Sequence, residues 1–139
     1  WFDYNIPKDS IVIEVSEDKV KGGLSDVLDK IVELKNNGFH IAIDNYGAKY
    51  ADLFLFSEVK FDTLKLDREL VHKLETDEKT CMISKSVIDI CKNYNISVVA
   101  EGVENEKEYD ILKEMGCDEA QGYLFDKPMS WNRFEEKYL

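Results

Sequence analysis

"SVVAEGVENE", residues 97–106, sets three small apolar residues, Val98, Val99 and Ala100, directly before Glu101, Gly102, Val103 and Glu104. A continuous apolar run of this length reads as a strand covered on both faces, because a half-exposed strand would alternate apolar with polar. Strands of that kind belong to parallel sheets with helices packed on them. The segments on either side agree. "KTCMISKSVIDICKNYN" before it carries Ile83, Val87, Ile90 and Cys91 at helical spacing, and "NEKEYDILKEMGC" after it is a helix with an acidic first turn, as the helix dipole prefers.

The same alternation extends to both ends of the chain. "SIVIEVSE" is a strand-length apolar run, followed by "LSDVLDKIVELKNNG" with Leu24, Val27, Leu28, Ile31 and Leu34 on one helical face and Gly38 as a stop. "HIAIDNYG" is the next strand and closes on Gly47; "YADLFLFSEV" is a short helix, and "DTLKLDREL" is a third strand. "EAQGYLF" is a fifth strand, and "SWNRFEEKYL" a last helix with Ser130 as N-cap. Strands alternating with helices predict an α/β fold with a parallel sheet. Two architectures fit: an open doubly wound sheet, or part of a (β/α)8 barrel. Neither GxGxxG nor GxxxxGK occurs, which lowers the nucleotide-binding open sheet.

Composition narrows function. The 139 residues make one domain, and their net charge of −11 argues against DNA or RNA partners, which need excess Lys and Arg. Cys81, Cys91 and Cys117 form no CxxC pair, so a reduced, cytoplasmic setting is expected, with Cys81 and Cys91 as small core residues. His40 and His72 are isolated in sequence, which argues against a His-built zinc site. No apolar run is long enough to span a bilayer, and no membrane contact is expected. The chain opens on Trp1 rather than Met, which predicts a piece of a longer translation product.

Polar residues collect where the strands end: Glu14 and Glu17, Asp44 and Asn45, Lys65 and Asp67, Glu101 and Glu104, and Gln121 beside Gly122. In parallel α/β folds ligands bind at the carboxyl ends of strands. Carboxylates with an amide oxygen, and little His or Cys, form a hard oxygen set suited to Mg²⁺ or Mn²⁺. Asp67 and Glu17 also read as ordinary helix caps. Lys65 is harder to set aside, because burying a lone ammonium costs several kcal/mol without a partner. The pattern suits metal-assisted phosphodiester hydrolysis.

The stretches "IEVSE", "IDNYGAKYADL", "LKLDRELV", "VVAEGVEN" and "GCDEAQGYLFDKP" together resemble the C-terminal part of an EAL domain, the bacterial cyclic-di-GMP phosphodiesterase. The resemblance implies a TIM-like (β/α)8 barrel of which residues 1–139 supply about five C-terminal βα units. It implies hydrolysis of cyclic di-GMP to pGpG with Mg²⁺ or Mn²⁺. It assigns Glu14, Asp44, Asn45 and Glu101 to metal, Lys65, Glu101 and Glu104 to catalysis, and Gln121 and Lys65 to substrate. Glu17 and Gly47 support the loop after the second strand.

Two departures from the family pattern stand out. Its DDFG motif reads "DNYG" here, so Asn45 stands where a metal-binding Asp is usual, and Lys49 stands where a Gly is typical. The EAL tripeptide is absent, and on a barrel of about 250 residues about 100 are unaccounted for. They include a metal-binding Glu, a metal-binding Asn and a substrate-contacting Arg. The surviving residues favour a piece of an active phosphodiesterase with further domains upstream. Asn45 and the altered loop favour the alternative, a non-catalytic EAL domain that senses cyclic di-GMP or binds another protein. The fragment alone is expected to be inactive, and its open sheet edges to pair with another chain, as in a homodimer.

Overall fold

The computed structural model describes residues 6–17, 20, 25–48, 52–53 and 55–139. Leu24 of the first predicted helix face and Lys49 of the loop after Gly47 lie outside the described residues. The strands are β1 (Val12–Ser16), β2 (His40–Tyr46), β3 (Thr63–Leu66), β4 (Ser97–Ala100) and β5 (Glu119–Ala120). They form a single sheet in chain order, and each neighbouring pair is parallel. That order decides between the two architectures. A doubly wound sheet reverses its strand order at a switch point, whereas a barrel wall adds each strand beside the last. The chain is a wall of a TIM-like barrel.

Helices α1 (Ser25–Asn36), α2 (Leu55–Glu58), α3 (Arg68–Val71), α4 (Glu78–Asn93), α5 (Glu106–Met115) and α6 (Trp131–Tyr138) follow or separate the strands. Ile41, Ile43, Leu64, Leu66, Val98 and Ala100 have no exposed surface and form the sheet side of the core. Val71, Ile88, Cys91 and Leu112 pack on them from the helices. Each such aliphatic side chain contributes about 2 kcal/mol of burial. Among the described residues no helix is long and apolar enough to cross a membrane.

Two strand ends and one helix face differ from the sequence reading. The third strand stops at Leu66, because Asp67 accepts the Glu69 N–H through its side chain and starts α3; "DREL" is a capped turn, not strand. The fifth strand has two residues. Beyond it Gln121 O still accepts the Val103 N–H, but Leu124 N–H turns back to Val103 O and Phe125 N–H to Gly122 O. A side chain at Gly122 would collide with the Val103 backbone, so the close approach at which the chain curls requires glycine. In α4 the buried stripe is Ser84, Val87, Ile88 and Cys91, spaced i, i+3, i+4, i+7. Ile83, expected inward, is therefore half exposed, and Cys81 is only partly covered. Ser130 does sit at the N-cap of α6, without a side-chain capping bond.

Candidate active site at the carboxyl ends of the strands

Side chains alternate across a strand, so residues two apart share a face. In β3 Leu64 and Leu66 face the helices, and Lys65 therefore points to the opposite, barrel-interior side. Glu14 pairs in register with Ala42, and Asp44 lies two residues further along β2 on the same face. Lys65 pairs with Val99, and Glu101 lies two beyond that. Four residues spread over 88 positions in the sequence thus meet by register alone. Lys65 Nζ is 2.7 Å from Glu14 Oε1, 2.9 Å from Glu101 Oε1 and 3.3 Å from Asp44 Oδ1.

The lysine side chain is only 12% exposed. Burial, the largest single influence on it, works against its charge. The hydrogen bonds to Glu14 and Glu101 and the charges of Glu101 and Asp44 together outweigh burial, and the ammonium is held well above the usual lysine range. Lys65 is therefore a fixed positive charge and a donor at neutral pH.

Asn45 sits on a β-bulge. Ala42 pairs with Thr63 and Ile43 with Leu64, but the next pair joins Tyr46 to Leu66, so β2 carries one extra residue. Asn45 is that residue, with φ of 58°, a conformation Asn tolerates better than most side chains. The bulge turns its amide back along the strand, where Nδ2 donates to Asp44 Oδ2 at 2.7 Å. The reverse amide orientation would set two oxygens against each other, so the nitrogen faces the carboxylate.

The remaining predicted residues divide. Gln121 joins the cluster, its Nε2 donating to Glu101 Oε1 at 2.7 Å. Glu17 and Gly47 meet each other instead: the buried Glu17 carboxylate accepts the N–H of Gly47 and of Asp52, each at 3.1 Å. Asp67 is the cap of α3 described above. Glu104 stands apart from Lys65, on the loop after β4, with its Oε1 3.9 Å from His72 Nε2. His72, isolated in sequence, is not isolated in the fold, since its Nδ1 lies 2.9 Å from Glu108 Oε1. The "NEKE" capping pattern at Asn105–Glu108 was the available signal, because it directs an acid back toward the loop that bears Glu104.

Could these groups hold a divalent cation? Asp44 Oδ1 is buried and lacks a hydrogen-bond partner; its 3.3 Å approach to Lys65 does not have hydrogen-bond geometry. An orphaned carboxylate oxygen among hard oxygen donors fits such an ion. The number of donors is short, however. Among the described residues no three His, Cys, Asp or Glu side chains form a metal-holding group, because the carboxylates converge on the Lys65 ammonium. The residues present make one side of a cation shell.

Comparison with known proteins agrees with this geometry. The EAL domain family profile matches residues 1–128. The chain is 35% identical over 132 residues to the cyclic di-GMP phosphodiesterase RocR of Pseudomonas aeruginosa, covering 95% of this chain and 34% of RocR. It superposes on Klebsiella pneumoniae BlrP1, solved as a manganese and cyclic-di-GMP complex, with a TM-score of 0.86 and 33% identity over 91% of this chain and 32% of that one. The EAL domain of Mycobacterium smegmatis DcpA also superposes with a TM-score of 0.86, at 31% identity, over 97% of this chain and 60% of that one. The chain thus spans about a third of RocR and of BlrP1. With the family profile matched along nearly its whole length, the chain belongs to the EAL domain family.

Proposed function

We propose that this chain is the C-terminal portion of an EAL domain, and that the protein carrying it hydrolyses cyclic di-GMP to pGpG with Mg²⁺ or Mn²⁺. The observation that carries this reading is the convergence of Glu14, Asp44 and Glu101 around Lys65 at the strand ends, with Gln121 bonded to Glu101. The phosphodiesterase name of RocR and the manganese and cyclic-di-GMP complex of BlrP1 support it.

Glu14, Asp44 and Glu101 would supply one side of the ion's oxygen shell, the rest of the barrel would complete it, and the ion would lend Lewis-acid charge to the phosphodiester. In the hydrolysis, water adds to phosphorus, a P–O3′ bond breaks, and the 3′ oxygen leaves and takes a proton from solvent to become a hydroxyl. Glu101 receives Lys65 and Gln121 on Oε1, and Oε2 faces no hydrogen-bond donor among the described residues. That oxygen is placed to take the water proton. Lys65 stays charged and steadies the negative oxygens that develop on phosphorus. Asn45 brings a neutral amide to Asp44, so it holds the carboxylate in place without adding charge to the metal side. The outer edges of β1 and β5 each lack a neighbour among the described strands. They are assigned to pairing with the rest of the barrel or with another chain.

The test is to incubate the full-length natural protein with cyclic di-GMP and either Mn²⁺ or Mg²⁺ and separate the nucleotides. Formation of pGpG is expected. Cyclic di-GMP that binds and is recovered uncleaved with both ions overturns the enzyme reading.

A further inference from the structure

Glu108 is a carboxylate only 3% exposed, and both of its oxygens are engaged. Oε1 meets His72 Nδ1 at 2.9 Å, and Oε2 accepts the Glu104 N–H at 2.8 Å. Burial alone would raise its proton affinity. The hydrogen bonds from the Glu104 backbone and from His72, with the charge of His72, outweigh burial and hold Glu108 below the ordinary carboxylate range. An ionised Glu108 fixes a proton on Nδ1 of His72. The other ring nitrogen, Nε2, then looks out of the fold toward Glu104 Oε1, 3.9 Å away.

One imidazole therefore stands between a buried carboxylate and an exposed one. It also joins two elements that carry the candidate site. His72 closes α3, directly after the strand bearing Lys65, and Glu108 lies in the first turn of α5, directly after the loop bearing Glu101 and Glu104. The charged groups around the bridge are few. Lys107 on α5 pairs with Glu75 at 3.1 Å across the same two segments, and Arg68, whose carbonyl accepts the His72 N–H, lies one turn earlier on α3. Glu104 and Glu108 are the acids paired with the ring itself.

We infer that His72, anchored by Glu108, is a positioning residue for Glu104. Glu108 pins the Glu104 backbone, and with Nδ1–H given to Glu108 the ring holds the Glu104 carboxylate at the mouth of the site when it is protonated on both nitrogens, so that Nε2–H donates to Oε1. The contact rests on the fold alone; its effect on turnover rests on the phosphodiesterase reading. A distance beyond hydrogen-bond length is common in substrate-free sites and closes when the reacting groups are in place.

The experiment uses the full-length protein with ¹⁵N-labelled histidine and the variants His72→Gln, Glu104→Gln and Glu108→Gln. In the parent, the Nε2 resonance of His72 is expected to move on Glu104→Gln and both ring resonances to move on Glu108→Gln. An Nε2 resonance indifferent to Glu104→Gln overturns the inference, whether or not the protein hydrolyses anything. In the kinetic arm, His72→Gln is expected to lower kcat about tenfold with KM changed less than about twofold. Added to Glu104→Gln, it is expected to cost nothing further. Losses that simply multiply, or a loss confined to KM, overturn the positioning role. A parent protein that makes no pGpG refutes the phosphodiesterase reading, and the resonance arm still decides the contact between His72 and Glu104.

Discussion

At the amino end of the sheet, Asp62 accepts Lys35 Nζ on both oxygens, at 2.6 and 2.7 Å, and the Ile41 N–H at 2.8 Å. Asp118 makes the same kind of bond two intervals further round, accepting the Val98 N–H at 2.8 Å. Each acid stands just before one strand and accepts the N–H of the second residue of the strand before it. At the carboxyl end, a single lysine faces Glu14, Asp44 and Glu101, and one buried oxygen of Asp44 has no hydrogen bond. The residue types are the same at both ends. At the amino end the acid Asp62 is met by a lysine and a backbone N–H, as a structural fastening requires. At the carboxyl end acid is in surplus, which only a further cation or a ligand can settle.

Removing the lysine at the carboxyl end should have the largest effect. Lys65→Met leaves three carboxylates facing one another, and hydrolysis by the full-length protein should fall by about three orders of magnitude. Its melting temperature should fall in chelator and recover with Mn²⁺; initial rates and thermal unfolding with and without the ion measure both. Because the Lys65 pKa is raised, its contribution to stability is complete below 10.5 and is lost only as pH rises through the elevated folded value. The stability gap between parent and variant should accordingly be flat through neutral pH and narrow in strong alkali. A variant that keeps full activity would erase the distinction between the two ends.

At the amino end the expected loss is of stability alone. Asp62→Asn gives up the Lys35 pair and weakens the bond to Ile41, and should cost about 2 kcal/mol in urea unfolding with kcat unchanged. Burial, the largest influence on Asp62, raises its proton affinity, but Lys35 and the Ile41 N–H together bring it below 3.8. Its contribution is thus present above that pH and lost as pH falls through the lowered value, so the Asn variant and the parent should converge in acid.

Asn45→Asp is the smallest and the most discriminating change. Without metal it sets a second carboxylate against Asp44 and should destabilise on the order of 1 kcal/mol. Saturating Mn²⁺ should reverse the sign, and turnover should rise. If the ion restores neither stability nor rate, position 45 does not face the metal side.

How far the sequence anticipates this follows the range of each interaction. The alternation of apolar runs with helical stripes is local, and so the strands were legible; it left two parallel architectures open, the family resemblance pointed to the TIM-like one, and the strand order decides for it. Lys65 inside an apolar strand signals its own need for acids, and the register that supplies them follows from the parallel order. The bulge at Asn45 is not legible, because it is a mismatch between two strands rather than a property of either. The shortness of β5 depends on Gly122 meeting the Val103 backbone, nineteen residues away. His72 and Glu108 are 36 residues apart and carry no shared pattern. The capping pattern at Asn105–Glu108 points Glu108 back toward Glu104, but only the tertiary fold brings His72 to it and buries it.

The bulge at position 45 has an evolutionary consequence. Its left-handed backbone admits Gly, Asn and Asp at small cost and penalises most other side chains. The codons for Asn and Asp differ by a single base. A lineage can therefore pass between a neutral amide and a carboxylate beside Asp44 in one mutational step, with Tyr46 and Gly47 left where they are. The exchange trades the hydrogen bond to Asp44 for a negative charge, while the backbone conformation that carries it is kept.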